Sequence, residues 1–332
     1  MENQPTKLRW FNFRLGTLLV AIAVICIGIV FLGKPLYQAR VERIVIAEFD
    51  QSHGWIKLQS DGEGKLAHLN NIGVLGLVDD DVLLLLPSLP QLETLQLGSN
   101  VLTDDSAKAL GKIPNLKRLV LRNTLVTPEQ MASIARSPSI RSIEIEGRTA
   151  TDANIELLAK FPNLEHVSIC NSEATDASIE TLAGAPHLAR LGFMLVPNMT
   201  SSSLESLATL PKLEDLTVKG TQLSDEGLRM IGQMQSLRSL AISPGPKEPF
   251  SEAGLKSLAS LKHLTTFEIF NPAVDGRSMP TLATFPELTT LVFDGTSITH
   301  EDATEHGFFP DPKHGSLYTR KPEDLPASRN DG

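Results

Sequence analysis

From Leu92 onward, apolar residues occupy the first, fourth and sixth places of a unit that returns every 24 to 27 residues. Units open at Leu92, Leu116, Ile140, Leu164, Leu188, Leu213, Leu237, Leu264 and Leu288, and a weaker one opens at Leu69. Alternation at the fourth and sixth places, as in Leu119/Leu121 or Ile143/Ile145, predicts a short strand with one buried face. The second half of each unit changes period. Ile155/Leu158/Phe161, Ile179/Leu182 and Leu228/Ile231/Met234 recur three apart, the spacing of one buried helical face. Thr103-Asp104, Thr151-Asp152, Thr175-Asp176 and Ser224-Asp225 stand where such a helix begins, supplying a side-chain acceptor for orphan N–H groups and negative charge at the positive end. Thr127-Pro128 and Thr200-Ser201 lack the Asp and give weaker start signals. Pro114, Pro138, Pro162, Pro186, Pro211 and Pro286 stop each helix before the next strand. A strand–turn–helix unit cannot bury its apolar face alone, so the units must stack. The pattern therefore predicts an α/β solenoid, with a curved parallel sheet on one side and short helices on the other. Polar residues at the corner after the strand (Asn100, Thr124, Thr221, Thr296) suit a bond to the neighbouring turn.

The ends break the pattern. Leu15 to Gly33 is 19 residues without charge or proline, and about 20 helical residues cross a bilayer core. A transmembrane helix over 15–33 is expected, behind a basic leader at 1–14 that carries Lys7, Arg9 and Arg14. A cleaved leader, which would release a secreted form, is the alternative, although no Ala-x-Ala site follows the run. Lys34, Arg40 and Arg43 balance the three upstream charges, so charge alone leaves orientation open. Residues 34–68 read as linker and N-terminal cap, with a helix over Arg40–Phe49 and an extended Trp55–Leu58. The repeat domain runs over 69–310. Its last unit degenerates, with Ala303 and Phe309-Pro310 in register but His306 where an apolar residue belongs. An insertion around Ser243–Pro246 and Pro249 should bulge from one edge. The tail at 311–332, rich in proline and charge, is expected to be disordered.

Over residues 69–310 the triplets resemble those of leucine-rich repeat proteins. The leading string RWFNFRLGTLL (Arg9 to Leu19), the apolar run, the helix, the Gly54-Trp55 strand and the Thr-Asp repeats resemble membrane-anchored leucine-rich repeat proteins of planctomycete bacteria. That resemblance implies a single-pass protein of the cell envelope whose repeat domain lies on the non-cytoplasmic side.

Composition narrows the function. The chain has 332 residues, 30 Lys+Arg against 39 Asp+Glu, and only 5% aromatics. A net charge of -9 argues against a nucleic-acid binder, which needs a basic face to displace counterions. Metal, nucleotide and hydrolase signatures are missing, so no cofactor, no metal and no catalytic residue is expected. Asp79-Asp80-Asp81 reads as a helix start, and His300, Asp302 and His306 do not share a face suited to a metal. Cys170 falls on an outward strand position as an isolated thiol. The outward positions of the strands form the candidate ligand face: Arg118, Arg122, Glu144, Glu146, His166, Ser168, Arg190, Asp215 and Lys219. Arg122 is placed to pair with Glu146 one strand away, and Glu144, facing outward, should tolerate Ser at a cost below about 0.5 kcal/mol. A non-enzymatic, membrane-anchored module binding a protein or an envelope polymer fits these features best. An adaptor of the ubiquitin-ligase type or an enzyme with a loop-built site fits less well, because no F-box-like helix and no paired acid–base motif precedes or interrupts the repeats.

Overall fold

The computed structural model describes residues 33–52, 54–60, 67–245 and 250–321, with 323, 325 and 326. Its strands are β1 (Trp55–Ser60), β2 (Ala67–Val74), β3 (Thr94–Gly98), β4 (Arg118–Arg122), β5 (Ser142–Glu146), β6 (His166–Cys170) and β7 (Arg190–Met194). They continue as β8 (Asp215–Thr221), β9 (Ser239–Pro244), β10 (Thr266–Ile269), β11 (Thr290–Phe293), β12 (Phe309–Asp311) and β13 (His314–Thr319). All thirteen join one sheet, in which β2 to β11 run parallel in chain order. This is the leucine-rich repeat solenoid that the periodicity predicts.

Register explains why the triplet repeats. Leu95, Leu119, Ile143, Val167, Leu191, Leu216, Leu240, Phe267 and Leu291 are successive partners across the ladder. Each is almost wholly removed from solvent, as are the helix-face residues Ile155, Leu158, Phe161, Leu228 and Ile231. One continuous core thus runs the length of the stack. At the corners Asn100 is buried; its amide donates to the Gly76 and Gly98 carbonyls at 2.9 and 2.8 Å and its oxygen accepts from Val78 N–H at 2.9 Å. Thr149, Ser172 and Asn271 do similar work in later units.

The Thr-Asp pairs do more than start helices. The cap residues Thr103, Thr127, Thr151, Thr175, Thr200, Ser224 and Ser251 all have extended backbone before short helices. The Asp that follows the cap reaches into the next unit. Asp152 accepts from Thr175 N–H at 2.8 Å, Thr175 Oγ1 at 3.0 Å and Ser178 Oγ at 2.6 Å. Asp176 does the same for Thr200, and Asp225 for Ser251. Where the Asp is missing, the helices still form over Pro128–Ile134 and Ser201–Leu207. Thr127 completes a capping box with Gln130, and the Ser201 hydroxyl meets that of Ser224 at 2.9 Å.

The ends depart from expectation. Helix α1 (Lys34–Gln51) begins six residues before Arg40, and buries Val41, Val45 and Phe49 over the first strands. The antiparallel strand β1 then covers the free edge of β2, with Trp55 opposite Gly73, where a Cβ would strike the indole at 2.4 Å. Among the described residues no helix is long and apolar enough to cross a membrane; the expected span at 15–33 lies outside the described residues except for Gly33. Residues 246–249 of the insertion also lie outside them.

The tail expected to be disordered from 311 folds instead as far as Arg320. Strand β13 pairs antiparallel with β11 and β12, closing the second open edge. Its Tyr318 ring stacks on Phe293 with centroids 4.1 Å apart and hydrogen-bonds His300. Arg320 lies 4.0 Å over the Phe308 ring and donates to His306 O at 2.7 Å. Phe308, not Phe309, is the buried residue; Phe309 is half exposed. Polar composition misleads here because two side chains, Tyr318 and Arg320, and the backbone pairing with β11 dock the edge strand.

Candidate functional site

Outward residues of β4 to β10 line the concave face and sort into three groups rather than one. In the first, Glu144 is the centre. Arg118 Nη2 reaches it at 3.1 Å, and Arg122 donates twice, at 2.7 Å from Nη2 and 3.2 Å from Nε. Glu146 is a more distant partner of Arg122, at 3.4 Å. The expected Arg122–Glu146 pair is therefore secondary, because Glu144 sits on the adjacent strand between the two arginines. Its side chain is only 14% exposed. The hydrogen bonds that Arg122 donates to Glu144 hold its guanidinium above its ordinary pKa. These charges satisfy one another.

The second group surrounds a hollow of about 310 Å³ lined by His166, Ser168, Arg190, Met194, Asp215 and Thr217. Its floor is Gly192, the outward residue of β7 that has no side chain. Arg190 and Asp215 face each other across its rim at 3.9 Å, with side chains 59% and 46% exposed. That separation is too long for a hydrogen bond, so both groups keep free donors and acceptors. Burial, followed by the charges of Arg190 and Arg118, pushes the His166 imidazole below its ordinary pKa. That favours the neutral ring, whose Nδ1 lies 3.2 Å from Ser142 Oγ. Ser168 and Cys170 are outward in phase yet buried, with Ser168 Oγ 3.5 Å from Cys170 Sγ. Burial raises the Cys170 thiol pKa, which disfavours the reactive thiolate.

The third group joins strands two apart: Lys219 Nζ lies 2.8 Å from Glu268 and 4.5 Å over the Phe270 ring. Of the nine residues singled out from sequence, four thus belong to the closed charge cluster, four to the hollow and one to this bridge.

Sequence phase misses one exposed residue, the one that follows Met194. Two places after the second inward residue, the backbone turns left-handed at Ser99, Asn123, Gly147, Asn171, Leu195, Gly220 and Gly295. Ser, Asn and Gly accept that conformation at low cost, whereas a leucine there is strained by roughly 1–2 kcal/mol. Leu195 has φ 56° and is 62% exposed, next to Met194 on the rim. A Cβ on Gly220 would come within 2.9 Å of Leu195 Cδ2, so the leucine lies across the neighbouring corner. The missed signal was a bulky residue in a corner series otherwise filled by small or polar ones.

The face has little of what chemistry needs. Ser142 and His166 are close, but among the described residues no carboxylate hydrogen-bonds His166, and the N–H groups of β5 to β7 are committed to the ladder. Among the described residues no three His, Cys, Asp or Glu side chains come together as a metal site. His300 and His306 bond Tyr318 and Asp302 O instead.

No family model matches the chain, and no curated protein does. Solved structures similar to it include an internalin from Listeria monocytogenes, at 16% identity and a TM-score of 0.41, over 69% of this chain and 82% of that one. Another is TLR13 in complex with a single-stranded RNA, at 18% identity and a TM-score of 0.48 over 64% of this chain. The match spans only 30% of TLR13.

Proposed function

We propose that this chain is a membrane-tethered, non-enzymatic module that binds a protein segment across its concave face, centred on the Gly192 hollow. The observation that carries this reading is Leu195, an exposed apolar side chain kept in a strained backbone conformation immediately after Met194, which lines that hollow. Strain of this kind persists where it serves a site. A partner residue entering over Gly192 meets Met194 and both signs of charge from Arg190 and Asp215, and a segment continuing over the Gly220 corner meets Leu195. Such a mixed rim suits a polypeptide better than a uniform polyanion, in keeping with the net charge of -9. The uncharged run at 15–33 supports the tether, and the resemblance to planctomycete proteins supports an envelope location with the repeats outside the cytoplasm.

The test uses the full chain as bait. A retained partner should be lost with Arg190→Ala/Asp215→Ala and with Leu195→Asn, in a salt-dependent way for the first. Glu156→Ala and Lys160→Ala, on the helix side, should bind like the parent. If the helix-side variants lose the partner and the concave ones keep it, the reading fails. Alkaline extraction should leave the chain in the membrane pellet, and protease added to intact spheroplasts should reach the repeats. An intact soluble chain beginning after Gly33 would favour a cleaved leader.

A further inference from the structure

We propose that helix α1 lies along anionic phospholipid headgroups, with the face that carries Leu36, Arg40, Arg43, Ile44 and Ala47 against the bilayer. This rests on the membrane tether proposed above.

The helix has two faces of different use. Val41, Val45 and Phe49, spaced by four, are buried over the first strands. On the opposite side Leu36, Arg40, Arg43 and Ala47 follow at steps of four, three and four, and form one stripe. All are exposed; Leu36 is 70% exposed, and Tyr37 and Ile44 beside the stripe are 52% and 40% exposed. Asp50 is the acidic residue on that side and lies at its far end. With Ile44 the stripe makes a shallow, open surface on one side of the helix. Apolar residues interleaved with arginines are what an interfacial helix presents to acyl boundary and phosphate together.

Charge selects among occupants. In a pairing of two copies through this stripe, Arg40 and Arg43 would be the seam residues and would meet their own counterparts. Among described residues, neither forms an ion pair within the chain; Arg43 only donates to the Ala39 carbonyl, at 3.2 Å. A phosphate surface supplies the missing anions. Position points the same way, because the uncharged run at 15–33 ends where α1 begins, at Lys34. Pro35 lies in the first turn of α1, where its missing N–H is tolerated.

Depth decides between lying and standing. At 1.5 Å per residue, Ile44 is roughly 16 Å along the axis from Gly33. The headgroup layer is only about 5–8 Å thick on each side. An upright α1 therefore carries Ile44 clear of the lipid, and a flat one holds it at the acyl boundary.

The full chain is reconstituted in phosphatidylcholine vesicles with or without phosphatidylglycerol, carrying Ile44→Trp in a Trp10→Phe/Trp55→Phe background. Lipids brominated in the acyl chain then report depth. Quenching at position 44 should be strong with phosphatidylglycerol and weaker without it, while Phe309→Trp, at the far end of the solenoid, stays unquenched. Arg40→Gln/Arg43→Gln should shift the ratio of docked to undocked helix about twenty-five-fold, at about fivefold per arginine. Absence of quenching while alkaline extraction leaves the chain in the vesicles overturns the inference and leaves the tether standing. Unquenched Ile44→Trp with disulfide cross-linking of Ala47→Cys between copies also overturns it, in favour of self-pairing. Release of the chain into the alkaline supernatant overturns the tether and this inference together.

Discussion

The helix side and the concave side of the same repeats spend their polar residues differently. On the helix side each Asp has one task, repeated unit after unit: Asp152 fastens Thr175 and Ser178, Asp176 fastens Thr200, and Asp225 fastens Ser251. On the concave side no position keeps one chemistry. Outward residues at the centre of β4 to β7 are Val120, Glu144, Ser168 and Gly192. Periodic polar residues whose bonds stay inside the chain hold the stack together. Irregular ones that keep free donors, acceptors or strain are what a partner can use.

The largest expected effect sets the scale for both sides. Ile145 is fully buried between the two layers, and Ile145→Asp should cost about 4 kcal/mol or more in chemical denaturation, because the carboxylate is left unpaired away from water. A loss under about 1 kcal/mol would mean that the strand phase is wrong.

Next comes the helix-side staple. Asp152→Ala removes three accepted hydrogen bonds and should destabilise by about 2 kcal/mol. Burial pushes the Asp152 carboxyl up, but the bonds from Ser178 and Thr175 together outweigh it and hold its pKa below the ordinary value. A depressed folded pKa gives stability that is present above the unfolded value and lost as pH falls through the folded one. Parent protein should therefore lose stability on acidification below about pH 4, and the Asp152→Ala protein should lose less over that window. Parallel pH profiles would remove Asp152 as a contributor.

The concave charge cluster should matter less. The sequence expectation of under 0.5 kcal/mol for Glu144 needs revision, since two arginines converge on a carboxylate that is largely covered. Glu144→Ala should cost about 1 kcal/mol, tempered because Arg118 and Arg122 remain in contact with water. A melting shift no larger than that of Glu156→Ala would restore the original expectation.

The smallest change should have the opposite sign. Leu195→Gly relieves the left-handed strain and should leave stability unchanged or raise it by up to about 1 kcal/mol, while weakening partner capture. If Leu195→Gly destabilised the domain as Asp152→Ala does, Leu195 would be a structural residue and the contrast between the two faces would collapse at this point.

Residue order alone determined the repeat, its strand phase and the buried face of each helix. The reason is that burial depends on period, and period is written in positions such as Leu119/Leu121 and Ile155/Leu158/Phe161. It also marked most helix starts, Thr127 and Thr200 only weakly, because a cap acts within three residues of itself. Only the tertiary structure decided what depends on residues about 24 apart lying side by side. That holds for Glu144 between Arg118 and Arg122, for the reach of Asp152 into the next unit, and for the gap over Gly192. It holds equally for β13, whose Tyr318 has no periodic counterpart and earns its place from the open edge of β11. Spacing along a chain encodes which way a side chain faces; which neighbours it meets there is set by how the units stack.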